Sequence, residues 1–283
     1  MNSLTMLSGN RAFDRRTRTL LWVAFCLLFF AVIFVCAWLY GDKGEVTSLM
    51  QRKLAPSMEH PFGTDWLGRD MLARTMKGLR VSLGVGLTAA ACSAVIALAL
   101  GLAATTLGKA VDRIVTWLVD VAMATPHLVL LILISFACGG GAKGVIIAVA
   151  ASHWPSLTRV IRAEILQLRE AEYVQLSKRL GKSNAYIARH HLLPHVIPQF
   201  MVGLLLLFPH AILHAAALTF LGFGMSPHSA AIGVLLADSM RYLSMGLWWL
   251  AVAPGAMLVI TVKMFDILGN NARALMDPRT CRD

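Results

Sequence analysis

Residues 20–40 read LLWVAFCLLFFAVIFVCAWLY, a run of 21 positions without a charged side chain. A helix needs about 20 apolar residues to cross the hydrocarbon core of a bilayer. Four arginines precede the run, as basic residues precede the apolar part of a signal peptide. The run is too long for a signal peptide, however, and no small-residue cleavage pattern follows it. We therefore expect an anchored first membrane helix here.

The composition of the whole chain agrees with a membrane protein. Of its 283 residues, 57% are hydrophobic and 14% are charged, and the mean hydropathy is +0.67. Soluble domains carry about 25% charged residues and could not bury this much apolar surface. These values exclude a disordered chain, a coiled coil and an ordinary water-soluble enzyme. The five cysteines form no C-x-x-C pair, which argues against a disulfide framework or a zinc site.

Further apolar runs predict six membrane helices in total. The runs after the first one cover residues 81–108, 114–138, 144–158, 196–223 and 242–268. The run at 144–158 has only 15 residues, so its helix should continue into polar sequence. The sequence thus predicts an all-α integral membrane protein with an N-terminal region, residues 1–80, and a core of five membrane helices, residues 81–283.

The basic residues indicate how these helices are oriented. The formal net charge is +11, from 26 Lys and Arg against 15 Asp and Glu. With the N-terminus in the cytoplasm, 17 of the 26 basic residues lie on the cytoplasmic side, as the positive-inside rule favours. The excess of basic over acidic residues therefore predicts contact with membrane lipid and not with nucleic acid. Seven basic residues between Lys43 and Arg80 are an anomaly in the outer loop, whose residues 67–83 have the spacing of an interfacial amphipathic helix.

The longest cytoplasmic segment, residues 159–198, has the pattern of two short amphipathic helices. Gly181 can end the first helix by adopting a positive φ. Such a segment suits docking into a groove of a partner protein, although it could also be a solvated loop at the membrane surface. The sequence Gly181-Lys182-Ser183 lacks the spacing of a phosphate-binding loop, and the chain has no H-E-x-x-H or G-x-S-x-G motif. We therefore expect neither an enzyme nor a cofactor bound by this chain.

The same segment resembles the EAA signature of binding-protein-dependent ABC importer permeases. That pattern is E-A-A, three residues, Gly, nine residues and I-x-L-P, and here Gln-Leu-Ser replaces Glu-Ala-Ala. Glu170 and Glu172 lie about one helical turn before the Gln-Leu-Ser triplet. The positions that the resemblance assigns to coupling are Glu170, Glu172, Gln175, Ser177, Gly181, Leu193 and Pro194.

A second resemblance lies in the outer loop, where residues 60–70 read HPFGTDWLGRD. This stretch is similar to a segment of the C-type subunits in the peptide and nickel permease subfamily, and residues 218–224, LTFLGFG, are similar to the S-F-L-G-L-G segment of the same subunits. The resemblance covers nearly the whole chain. The motif positions in the outer loop are His60, Gly63, Asp65, Gly68, Arg69 and Asp70.

The resemblance implies a type I ABC importer permease subunit in the bacterial inner membrane, with a cytoplasmic N-terminus. Its implied partners are a second homologous permease subunit, two ATPase subunits that use ATP and Mg, and an external substrate-binding protein. The segment around Gly181 would be the coupling helix that docks on an ATPase.

Two histidines suggest the cargo. His210 and His214 are four residues apart and so share a helix face, and neutral imidazole is a common ligand of transition metals. Because the same run resembles nickel permeases, we expect import of nickel or a related transition metal, free or chelated. The histidines could instead hydrogen-bond between helices. The alternative cargo is a dipeptide or oligopeptide, and the alternative class is a stand-alone secondary transporter, which would need inverted repeats or an ion relay.

Overall fold

The computed structural model describes residues 15–40 and 44–276, and the regular structure of these residues is helical. Residues 1–14, 41–43 and 277–283, which include Lys43 of the basic outer loop, lie outside the described part. The all-α membrane fold predicted from the sequence is confirmed. The α-helices are α1 (Arg15–Tyr40), α2 (Met71–Thr106), α3 (Lys109–Ala124), α4 (His127–Ala137), α5 (Gly141–Arg169), α6 (Glu172–Arg179), α7 (Asn184–Ile187), α8 (Leu193–Phe220), α9 (Ile232–Leu243) and α10 (Trp249–Met276).

Five helical stretches among the described residues are long and apolar enough to cross a membrane. They are α1, α2, α5, α10 and the continuous stretch Asn184–Phe220, in which a π-helical turn, Ala188–Leu192, joins α7 to α8. Helices α3 and α4 are long and apolar enough to cross a membrane only when they are taken together, and the axes of the two helices are bent by 101° at the break between them. The described part therefore has six spans when this broken pair counts as one.

Of the boundaries that differ from the sequence prediction, two concern the starts of α2 and α10. The separate interfacial helix at 67–83 was wrong, because residues 71–83 are the start of α2. The Asp70 side chain caps that helix by accepting a 2.8 Å hydrogen bond from the backbone nitrogen of Ala73. At the other end of the chain, α10 begins at Trp249 and not at residue 242, which belongs to α9. The division at residue 80 stays a prediction, although α2 runs through it.

The centre of the bundle is formed by α2, α5 and α8, which approach closely through small residues. A Cβ atom at Gly101 of α2 would lie 2.7 Å from Cγ2 of Ile161 on α5. A Cβ atom at Gly203 of α8 would lie 2.4 Å from Cδ1 of Leu157 on α5. A larger side chain at Gly101 would press on the branched side chain of Ile161, and one at Gly203 would displace the end of the Leu157 side chain, so both glycines permit the close packing of these helices.

A proline interrupts the hydrogen bonding of α5 in its middle. Pro155 has no backbone N–H, so the carbonyl of Ala151 loses its usual partner in the helix. The indole Nε1 of Trp154 donates a 2.9 Å hydrogen bond to that carbonyl instead. The helix therefore continues through the proline without a stranded acceptor at this position.

Candidate functional site

A cavity of about 770 Å³ opens at the break between α3 and α4. Irregular backbone within a membrane protein is tolerated where it is buried in protein or lines a cavity, and this break lines one. The walls come from α3, α4, α5, α8 and the last turns of α10. Its polar lining residues are Thr125, His127, Ser152, His153, Ser156, Gln199, His210, His214 and Arg273.

Three histidines from three different helices meet in the wall of this cavity. His127 is the first residue of α4, His153 lies on α5 and His214 lies on α8. Each offers a ring nitrogen, and the three nitrogens lie within 4.8 Å of one another. The ring centroids are 4.5 to 5.0 Å apart, and Nε2 of His153 lies 3.3 Å from Nδ1 of His214. We call these residues the histidine cluster.

The backbone orients two of the three rings. Nδ1 of His153 lies 3.0 Å from the carbonyl of Val149, and Nδ1 of His214 lies 2.8 Å from the carbonyl of His210. A carbonyl can only accept, so each Nδ1 carries the proton and each Nε2 keeps its lone pair. Nε2 of His127 is buried and has no hydrogen-bond partner among the described residues.

The lining of the cavity is basic in character. It includes four histidines and Arg273, and none of its lining residues is a carboxylate. A low-dielectric cavity of this kind favours a ligand with a negatively charged group, because no fixed negative charge in the wall competes with it.

His210 shares the cavity with His214, as their spacing predicts, but the structure groups His214 with two other histidines. The side chain of His210 is exposed, and its backbone carbonyl accepts a hydrogen bond from Nδ1 of His214. The role of the predicted pair stays a prediction. Sequence reasoning did not assign His153 and missed His127. The available signal was Pro126 before His127, which marks a helix break in the middle of an apolar run.

The segment predicted to couple to an ATPase forms two short helices separated by a turn at Gly181, where φ is +80°. Glu170 directly follows the last residue of α5, and its carboxylate accepts a 3.1 Å hydrogen bond from Gln175 of α6. Ser177 of α6 hydrogen-bonds Nε2 of His191 at 2.9 Å. The remaining predicted positions lie at the first turns of two helices, with Glu172 opening α6 and Leu193 and Pro194 opening α8.

One face of α6 is anchored and the other is exposed. Val174 is 4% exposed and packs with Ile187 and Leu192 in a cluster that continues into α5. On the opposite side, Leu176 is 58% exposed and Leu180 is 70% exposed. A short helix with a buried anchor and protruding leucines offers an apolar surface to a partner protein.

The outer-loop motif folds around one buried carboxylate. The side chain of Asp65 is fully buried, and its Oδ2 accepts 2.7 Å hydrogen bonds from Nε of Arg69 and Nη1 of Arg74. Oδ1 accepts from the backbone nitrogens of Leu67 and Arg69. Nδ1 of His60 lies 2.8 Å from the carboxylate of Asp70, so the motif is tied to the start of α2. We call this arrangement the Asp65 knot.

Two glycines allow the Asp65 knot to close. Gly63 and Gly68 have φ values of +68° and +74°. A Cβ atom at Gly68 would lie 1.8 Å from the carbonyl oxygen of Ser48, and one at Gly63 would lie 2.6 Å from that of Leu54. The contacts of the motif residues within the outer loop therefore account for the amino-acid type at these positions.

Residues 93–281 match the family model described as "Binding-protein-dependent transport system inner membrane component". The chain belongs to this family. The matched region contains the histidine cluster and the coupling segment, whereas the Asp65 knot precedes it. The protein is therefore a membrane component of an ABC importer and not an enzyme, and it functions with ATPase and binding-protein partners.

Named relatives of this permease subunit are described as peptide permeases. A putative peptide transport system permease protein of Brucella suis is 34% identical over 277 residues, which cover 98% of this chain and 93% of the relative. The dipeptide transport system permease protein DppC of Bacillus subtilis is 34% identical over 259 residues, which cover 91% and 81%.

Solved structures show the same fold. An inward-facing structure of the MetNI methionine ABC transporter matches with a TM-score of 0.60 at 18% identity and covers 73% of this chain and 98% of that chain. An amino acid ABC transporter solved with histidines matches with a TM-score of 0.54 at 17% identity and covers 72% and 95%. The predicted importer permease fold is confirmed.

Proposed function

We propose that this permease subunit imports short peptides. The observation that carries the proposal is the cavity at the α3–α4 break, whose lining has Arg273 and four histidines but no carboxylate. A peptide presents a terminal carboxylate, which a guanidinium can bind through two hydrogen bonds. The relatives described as peptide and dipeptide permeases support the same cargo.

The partners of this subunit follow from its class. A second homologous permease would complete the pathway, an external binding protein would deliver the peptide, and two cytoplasmic ATPases would use ATP and Mg. Leu176 of α6 and Leu180, the residue after its end, would sit in a groove of one ATPase. The coupling segment and the N-terminus would then both be cytoplasmic, in a bacterial inner membrane.

Nickel or a related transition metal, the cargo favoured from the sequence, is the second candidate. The observation in its favour is that His210 and His214 both line the cavity. The named relatives support the peptide reading better, since their descriptions mention peptides and not metals.

The two cargoes are separated by measuring uptake of a labelled dipeptide and of nickel in the same cells. Cells that lack this chain should lose dipeptide uptake and keep nickel uptake, and the full chain should restore the loss. Replacement of Arg273 by Gln should lower dipeptide uptake more than Arg273→Lys, because only the lysine keeps a positive charge. Loss of nickel uptake with normal dipeptide uptake would overturn the peptide proposal.

A further inference from the structure

We propose that His127, His153 and His214 bind a divalent late transition-metal ion, with open coordination positions facing the cavity. This metal site goes beyond peptide import, and it does not depend on whether the metal, a peptide or neither is the cargo. It differs from the pair expected from the sequence, because it leaves out the side chain of His210.

The first support is distance. Three imidazole nitrogens bound to one zinc ion at about 2.0–2.1 Å lie roughly 3.4 Å from one another in a tetrahedral site. In the histidine cluster, one ring nitrogen from each of the three residues lies within 4.8 Å of the other two. Metal binding would therefore require the rings to rotate about their side-chain bonds and bring these nitrogens closer together.

The second support is the orientation of the rings. A histidine that binds a metal usually donates its other N–H to a backbone carbonyl or a carboxylate, which fixes the tautomer and the ring plane. His153 has this partner in the carbonyl of Val149, and His214 has it in the carbonyl of His210. Their Nε2 atoms therefore keep the lone pairs that a metal requires.

The third support is the unpaired nitrogen of His127. Buried polar atoms nearly always have a hydrogen-bond partner, so an exception requires an explanation. Nε2 of His127 is buried without one among the described residues, and the nearest polar rings are those of His153 and His214. A shared metal would satisfy this nitrogen, whereas hydrogen bonding within the cluster leaves it unpaired.

The ligand set decides which metals fit. Three imidazoles without a carboxylate favour Zn²⁺, Cu²⁺, Ni²⁺ or Co²⁺ over Mg²⁺ and Ca²⁺, which prefer oxygen ligands. Because three protein ligands do not fill even a tetrahedral shell, at least one position remains. The cluster lines the cavity, so that position is accessible to a small ligand in the cavity.

The test uses the assembled transporter, purified with an affinity tag that contains no histidine. Co²⁺ is titrated and followed by its visible absorption, with Zn²⁺ added to displace it and Mg²⁺ added as a hard competitor. We expect Zn²⁺ to displace the bound Co²⁺ and excess Mg²⁺ to leave it bound. Azide should then change the spectrum of bound Co²⁺, because an open position can accept it.

Four variants locate the site. His127→Gln, His153→Gln and His214→Gln should each weaken Co²⁺ binding at least about 10-fold. His210→Gln is the matched control, since it removes a cavity histidine on the same helix as His214 and should leave the affinity unchanged. Elution volume on gel filtration shows whether each variant is folded.

X-ray absorption of the Zn²⁺-loaded wild type needs no variant and should show three imidazole ligands. Absence of Co²⁺ binding, fewer than three imidazoles, or an equal loss from His210→Gln and His153→Gln would overturn the metal site. An unchanged spectrum with azide would overturn the open position. Dipeptide uptake is measured separately, so failure of the peptide proposal leaves these results interpretable.

Discussion

Replacement of Asp65 by asparagine tests whether a buried ion cluster holds the outer loop against α2. The substitution keeps the shape of the side chain and removes its charge. Asp65 is fully buried, and the side chains of Arg69 and Arg74 are 18% and 7% exposed. After the substitution, Arg74 would remain buried without the carboxylate that accepts its hydrogen bond.

The size of the effect follows from this burial. Removal of one partner of a buried ion pair costs about 3–5 kcal/mol. Arg69 can turn partly to water, so we expect the lower end of this range, about 3 kcal/mol. For a chain of this size, each kcal/mol lowers the midpoint of thermal unfolding by about 2–4 °C, which gives a shift of roughly 6–12 °C.

Thermal unfolding of the purified transporter, followed by tryptophan fluorescence, measures the shift. Trp66 reports on the loop directly, because its ring stacks on Tyr242 at 4.7 Å. Glu45→Gln is the matched control, since its 2.6 Å pair with Lys77 has side chains 55% and 27% exposed. Such a pair contributes less than about 1 kcal/mol. Equal shifts for Asp65→Asn and Glu45→Gln would refute the assignment of a buried ion cluster.

Three further substitutions have defined outcomes. Gly68→Ala should lower the thermal midpoint more than Gly222→Ala, because both glycines have positive φ but only the first would place a Cβ atom against a backbone oxygen; equal losses would contradict the steric argument. Gly181→Ala should reduce cargo-stimulated ATP hydrolysis more than Gly181→Asn, because alanine at a φ of +80° costs about 1–2 kcal/mol and asparagine tolerates that region better; wild-type rates for both variants would exclude this role of the turn. Burial raises the pKa of Asp238 above its ordinary value. The folded state therefore favours the protonated carboxyl, and the stability that protonation contributes is lost as the pH rises through the folded pKa. Asp238→Asn should therefore raise the thermal midpoint at pH 7, with an advantage that shrinks below a pH of about 4; a lower midpoint at pH 7 would contradict this reasoning.

The membrane helices could be predicted because hydropathy is a local property of the sequence. The short run at 144–158 indicated a helix that extends into polar residues, and α5 does so from Gly141 to Arg169. The turn at Gly181 followed from the conformational freedom of glycine, and the structure has it at a positive φ. Each of these predictions needed only neighbouring residues.

The histidine cluster could not be predicted in the same way, because its members come from three helices. The rule for residues four apart links only side chains on one helix, and it paired His214 with His210. The 101° bend between α3 and α4 accompanies the placement of His127 at the cavity, and both helices contact α5, which is distant from them in sequence. The proline at 126 marked the break but not its direction.

The seven basic residues of the outer loop were an anomaly under the positive-inside rule because the partners of several of them, like the members of the histidine cluster, are not evident from neighbouring positions. A count of charges treats every basic residue alike, whereas the structure pairs several with carboxylates. Arg69 and Arg74 share Asp65, and Lys77 pairs with Glu45. The acceptors lie up to 32 residues away in the sequence, so local charge density alone overstates the positive charge of the folded loop.

The proline in α5 gives that helix a mechanical weak point beside the cavity. An α-helix resists bending because its successive hydrogen bonds must distort together, and Pro155 removes one of them. Since Trp154 holds the released carbonyl of Ala151, bending there exposes no unsatisfied acceptor to lipid. The helix is therefore least resistant to bending at the level of His153, which lines the cavity together with Pro155 itself.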